Sequence, residues 1–218
     1  MRIFQIFLAI LIAALPVLAQ QTMDPDRMVT GSGKLPDGWQ MRLDKPDASA
    51  KEVNFVNVDG KYRFTTGPAA IYYNQNDVEK GSFQVEAKFD QLQMSAHPEA
   101  YGLFIGGKDL QGEKQQYIYF LVRQDGKYLI KRRNGSETPV VVDWTAAPAV
   151  NKADGSGKTV NSLAIEVTPK TVRFIANNKE VKSIGLADLP ATNGQVGLRI
   201  NHNLDVQVTD FQVKPMMK

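Results

Sequence analysis

From Trp39 onward, apolar and polar residues alternate with a period of two, in short runs separated by Gly, Asp and Asn. That period puts successive side chains on opposite faces of a strand, whereas a helix would return its apolar residues every three or four positions. The run Phe83-Gln84-Val85-Glu86-Ala87-Lys88-Phe89-Asp90 is the clearest case. Phe83, Val85, Ala87 and Phe89 share one face, the four polar residues share the other, and a slip of one position would bury the polar set. Comparable runs span 53–58, 61–66, 69–73, 82–90, 102–105, 116–123, 127–132, 139–144, 162–168, 171–176, 180–184, 195–201 and 204–213. Only 185–189 reads as a short helical turn. About a dozen strands with almost no helix point to an all-β fold, a jelly-roll β-sandwich of two antiparallel sheets, built as one domain over residues 39–218.

Two of the runs on either side of Asp-Gly are hairpin signals, because both positions of that pair tolerate positive φ. The one around Asp125-Gly126 carries the most chemistry. If those two residues form the whole loop, Arg123 faces Tyr128 and Tyr119 faces Arg132, which gathers Tyr117, Tyr119, Tyr128, Arg123 and Arg132 on one surface. Flat rings cover the C–H face of a sugar, and guanidinium forks bind its hydroxyls. The same pattern also describes an ordinary aromatic cross-strand ladder whose arginines reach out to water. Lys131-Arg132-Arg133 could suggest phosphate or an acidic polysaccharide, but three basic residues near a hairpin end read as a solvated edge that discourages strand pairing.

Composition narrows the chemistry. The 218 residues include no Cys, which removes disulfides, thiolate metal sites and cysteine nucleophiles, and only two histidines, His97 and His202. Residues 1–19 read as a secretory signal: Arg2, an apolar run from Ile3 to Leu15, and Val17-Leu18-Ala19 before Gln20. The run is shorter than the ~20 residues of a spanning helix, so no membrane anchor is expected after cleavage, and the mature protein is expected to be secreted or periplasmic. Cleavage leaves 25 basic against 23 acidic residues, a net charge of +2, too balanced to suggest a nucleic-acid partner. Residues 20–38, polar and carrying Pro25, Gly31 and Gly33, read as a tether or early loop.

Three segments, Gly102-Leu103-Phe104-Ile105-Gly106-Gly107-Lys108-Asp109, the hairpin ending Lys131-Arg132-Arg133-Asn134-Gly135, and Gly194-Gln195-Val196-Gly197-Leu198-Arg199-Ile200-Asn201-His202-Asn203-Leu204-Asp205 followed by Thr209-Asp210-Phe211, carry a resemblance. Together they resemble the concanavalin A-like lectin/glucanase superfamily, and within it the 3-keto-disaccharide hydrolase domains. The resemblance implies a carbohydrate ligand on a jelly-roll that elsewhere serves lectins, laminin-G-like modules and glycosidases. It departs from the family at its start, where only Asp37-Gly38-Trp39 stands in place of a longer Asn-Gly-Lys-Asp-Leu opening.

The glucanase Glu-x-Asp-x-(x)-Glu strand is absent. Glu86 and Asp90 share a face but lie about 13 Å apart at ~3.4 Å per residue, beyond the roughly 5 to 9.5 Å of a glycosidase pair. A 3-keto sugar needs less: one base to take the acidified C–H proton, and donors to hold the enolate oxygen. His202, in the Asn201-His202-Asn203 corner, is the candidate base, with Arg199, Lys108 or Arg123 as donors; otherwise it caps a turn, with no visible carboxylate partner. Binding residues expected on these grounds are Tyr119, Arg123, Tyr128, Arg132, Arg199, Asn201 and Lys108. No metal site and no cofactor is expected. Gly155-Ser156-Gly157-Lys158-Thr159 lacks the earlier glycine and following helix of a phosphate loop, and its acids are not spaced for calcium. Asn134-Gly135-Ser136 is a glycosylation triplet only in a eukaryotic secretory pathway.

Overall fold

The computed structural model describes residues 25–216; the expected signal at 1–19 lies outside the described residues. Among the described residues fifteen strands run in chain order: β1 (Trp39–Leu43), β2 (Val53–Val58), β3 (Lys61–Thr66), β4 (Ala70–Asn74), β5 (Val78–Glu79), β6 (Phe83–Gln91), β7 (Ala100–Lys108) and β8 (Gln116–Arg123). They continue as β9 (Lys127–Asn134), β10 (Val140–Ala146), β11 (Thr159–Val167), β12 (Thr171–Ala176), β13 (Lys179–Gly185), β14 (Gly194–Ile200) and β15 (Asp205–Pro215). The expected helical turn is a single 3-10 turn, Leu186–Asp188. Strands β1 and β5 were not expected; β5 is only two residues long.

One sheet has the order β1-β4-β14-β7-β8-β9-β10, with β5 beside β14, and the other has β13-β12-β11-β6-β15-β3-β2. Every pairing is antiparallel. The jelly-roll β-sandwich expected from the alternation is therefore the observed architecture. Between the sheets lies the main core, in which Phe83, Val85, Ala87 and Phe89 of β6 are buried against Tyr101, Leu103 and Ile105 of β7. Burying that apolar set contributes roughly 25 cal/mol per Å² removed from water, the term that holds a disulfide-free domain together.

The two Asp-Gly hairpins differ. At Asp59-Gly60 both residues have positive φ, 52° and 77°, and Val58 pairs with Lys61, so the loop has two residues as expected. At Asp125-Gly126 only Gly126 is left-handed, with φ 81°, and its amide donates to Arg123 O at 3.0 Å. Arg123 pairs with Lys127, giving a three-residue loop in which a turn precedes one left-handed glycine. The register expected across β8 and β9 is thus shifted by one. Tyr119 faces Lys131, Tyr117 faces Arg133, and Tyr128 and Arg132 turn to the opposite face. Strand β9 is also no edge, because β10 pairs along its other side.

The segment before β1 is a loop but not a free tether. Arg27 N donates to Asn203 Oδ1 at 2.6 Å, Arg27 Nε to Thr66 O at 2.9 Å and Arg27 Nη2 to Leu204 O, while Gly31 N donates to Lys51 O at 2.7 Å. These bonds fasten it to the corner between β14 and β15.

Candidate functional site

The outward face of the β1-to-β10 sheet is apolar where a solvated sheet would alternate to polar residues. Ile71, Tyr73, Ala100, Phe104, Leu110, Tyr117, Tyr119, Leu121 and Leu129 form a second cluster there, with Trp144 of β10 packed against it. Close approach at the centre requires Gly197, where a Cβ would stand 2.3 Å from Tyr72 O and 2.7 Å from the Phe104 ring. Above this floor lies a groove of about 550 Å³, walled by Asp44, Glu99, Arg123, Lys131, Arg133, Trp144, Arg199, Asn201 and His202.

Arg199 projects from β14 at the groove's buried end and is only 7% exposed. A buried guanidinium is costly unless paired, and here the pairing is two-pronged: Nη1 to Asp44 Oδ1 at 2.9 Å and Nη2 to Asp44 Oδ2 at 2.5 Å. Nη1 also donates to Tyr117 Oη at 3.3 Å, and the guanidinium sits 5.0 Å from the Tyr119 ring centre. Burial by itself would raise the Asp44 carboxyl, but the charge and hydrogen bonds of Arg199, with Arg133 and Arg42 nearby, outweigh it and hold the group below its ordinary value. Burial pushes the Tyr119 phenol up to about 12.

At the open end, Arg123 Nε and Nη2 each donate to Asp125 at 2.8 Å, and its guanidinium lies 4.2 Å above the Trp144 ring. The third wall is the turn holding His202. The ring has a carboxylate at each nitrogen: Asp26 Oδ1 at 3.1 Å from Nδ1 and Glu99 Oε1 at 2.9 Å from Nε2. Asn201 Nδ2 donates to the other oxygen of Glu99 at 3.3 Å. The expectation that His202 has no carboxylate partner is corrected, since both partners come from segments distant in sequence.

Five expected residues, Tyr119, Arg123, Arg199, Asn201 and His202, meet at this groove. Three do not. Tyr128 enters the main core and donates to Val181 O at 3.1 Å, and Arg132 is exposed on the other face of β9; both follow from the three-residue loop. Lys108 is exposed at the end of β7, opposite Gln116 and beyond the groove wall. Tyr119 is also less accessible than a stacking platform requires, at 4% exposure; it is floor, and Trp144, partly exposed with Arg123 over its ring, is the more accessible aromatic residue. Sequence reasoning missed Trp144, Asp44 and Glu99, and set Lys131 and Arg133 aside as a solvated edge. The period-two pattern could have found Lys131 and Arg133 had the loop been assigned three residues. Asp44 and Glu99 follow or precede strands in loops and carry no such signal.

Three buried atoms of groove-wall residues, Arg133 Nε, Arg199 Nε and Asn201 Oδ1, have no hydrogen-bond partner among the described residues. Tyr72 Oη and Gln91 Oε1, away from the groove wall, are likewise buried without a partner. No cluster of three or more His, Asp or Glu suited to a metal ion occurs among the described residues.

Comparison with solved structures agrees with the architecture. The carbohydrate-binding module CBM66 from Bacillus subtilis is similar with a TM-score of 0.61 at 10% identity, over 81% of this chain and 95% of that one. A Bacillus subtilis protein of unknown function with a galectin-like fold gives 0.60 at 12% identity, over 81% and 89%. The Emp46p carbohydrate recognition domain, metal-free form, gives 0.55 at 9% identity, over 83% and 89%. No family model and no curated protein matches the sequence. The chain has a galectin-like jelly-roll β-sandwich fold.

Proposed function

We propose that this protein binds carbohydrate in the groove on the outward face of the β1-to-β10 sheet, and that it does so as a secreted or periplasmic protein. The observation that carries this reading is the groove itself. It joins a partly exposed indole, Trp144, to the guanidinium groups of Arg123 and Arg133. An aromatic ring with flanking charged donors meets the two sides of a sugar, its C–H face and its hydroxyls. The fold is one that carbohydrate-binding modules such as CBM66 share. The leader pattern at residues 1–19 supports the location. Calorimetry against a panel of neutral and charged oligosaccharides tests it: binding that Trp144→Ala weakens supports the reading, and silence across the panel rejects it.

Hydrolysis of a 3-keto-disaccharide is the second reading. The Glu99 contact supports it, because a carboxylate at one ring nitrogen orients a catalytic imidazole. A base, however, needs a ring nitrogen with a lone pair facing the sugar, and here Asp26 stands at the other nitrogen. Binding is therefore the better supported function. Product from a 3-keto-disaccharide, lost in His202→Ala, would reverse that order. A structural laminin-G-like module, the third reading, would bind no sugar at all.

A further inference from the structure

We propose that the ligand of this groove is an acidic saccharide, one whose carboxylate or sulfate is held by Lys131 and Arg133. The inference rests on the carbohydrate-binding reading and adds the chemical class. It comes from the charge left over once pairs are made. Around the groove, Arg199 is paired with Asp44 and Arg123 with Asp125, while Glu99 and Asp26 lie against the ring nitrogens of His202 and Asp26 is also paired with Lys45. Among the described residues no ion pair involves Lys131 or Arg133.

Their placement is specific. Two apart on β9, they project to the same face, opposite Tyr119 and Tyr117, so two uncompensated cations stand side by side along one wall. Both are only partly exposed, and Arg133 Nε is buried without a partner. A guanidinium and an ammonium over an apolar floor match an anion fixed to a ring. Trp144 takes the ring's C–H surface, and the two cations take its charged group. A neutral sugar would leave both charges unanswered. Strand β9 is interior to its sheet, so protecting an edge does not account for these cations.

The test is calorimetry on the full mature chain with three probes: galacturonate oligosaccharides, the same oligosaccharides with carboxyls reduced to alcohols, and sulfated galactose oligosaccharides. Tighter binding of either charged probe than of the reduced one supports the proposal, and the stronger of the two identifies carboxylate or sulfate. Lys131→Ala and Arg133→Gln should each weaken it roughly tenfold or more, as expected for loss of a charged hydrogen bond, and affinity should fall with added salt. Lys88→Ala, which removes an exposed charge from the outer face of the other sheet, should leave it unchanged. Equal binding of charged and reduced probes overturns the acidic class while leaving carbohydrate binding standing; no binding of any probe overturns both. Weakening by Lys88→Ala equal to that by Lys131→Ala would mean that net charge rather than the groove attracts the polyanion, and would also overturn it. A thermal unfolding scan on each variant separates lost binding from lost folding.

Discussion

Arg199 and Asp44 meet in a two-pronged pair, at 2.9 and 2.5 Å, that joins the centre of the β1-to-β10 sheet to the chain just beyond β1. Strand β4 lies between β1 and β14, so the pair spans the sheet across an intervening strand. It fixes the depth of the groove as well as its charge.

Removing one partner should therefore cost more than a surface pair would. Asp44→Asn leaves the buried Arg199 guanidinium without its counter-charge, and a broken buried pair destabilises by about 3–5 kcal/mol. Urea denaturation should show that loss, whereas Lys214→Ala, which breaks an exposed pair with Glu86, should cost about 1 kcal/mol or less. Equal costs for the two variants would show that the Arg199 pair does not anchor the sheet.

The pH dependence follows in sign from the same geometry. Asp44 titrates lower in the folded protein than its ordinary 3.8, so the unfolded chain takes up the proton first as pH falls. The stabilisation is complete well above pH 4 and is lost below it. Tyr119 sits at the other limb: its phenol is pushed from 10.0 up to about 12, so its contribution is complete below pH 10 and lost as pH rises toward 12. Urea midpoints measured against pH should show the gap between wild type and Asp44→Asn narrowing below pH 4, and Tyr119→Phe flattening the alkaline limb.

The two Asp-Gly hairpins should respond differently to alanine. Both Gly60 and Gly126 hold positive φ, which costs an L residue about 1–2 kcal/mol. An added Cβ at Gly60 meets nothing within 4 Å, but at Gly126 it lies 2.8 Å from Lys152 Cγ. Gly126→Ala should therefore destabilise more than Gly60→Ala by thermal unfolding, and the reverse order would contradict the three-residue loop.

That loop also marks where the sequence stops being legible. Alternation locates β6 and the core face of nearly every strand, because burial of one face demands it whatever the register. It cannot choose between two loops built on the same dipeptide. The choice at 124–126 is made by distant contacts. Gln124 Oε1 accepts from Gln91 Nε2 at 3.0 Å and from Ser95 Oγ at 3.2 Å, and these bonds hold Gln124 within the loop. One residue of difference moves Tyr128 and Arg132 out of the groove and puts Lys131 and Arg133 into it. The carboxylates at His202 were hidden for the same reason, since Asp26 and Glu99 reach it from segments that no local pattern connects.

The N-terminal segment gives a prediction about order. Arg27 closes three hydrogen bonds onto Thr66, Asn203 and Leu204, two of them through its side chain. Arg27→Ala removes those two, at about 1–2 kcal/mol in sum, and should let the chain before β1 lift from the corner that carries His202. Hydrogen exchange should then quicken at Gly31, whose amide donates to Lys51 O, while amides of β6 and β7 keep their protection.

Tyr119 and Trp144 should separate stability from binding. Tyr119 is floor, 4% exposed and packed 5.6 Å from Tyr117 between ring centres, so Tyr119→Ala opens a cavity and should cost about 3–5 kcal/mol in urea denaturation. Trp144 lies on the edge strand β10, partly exposed beneath Arg123, so Trp144→Ala should cost less stability than Tyr119→Ala. Its loss should instead appear as affinity, roughly tenfold for a saccharide that stacks on the indole. If Trp144→Ala binds the saccharide as wild type does, the accessible ring is not the platform and the ligand must be held by the cations of β9 alone.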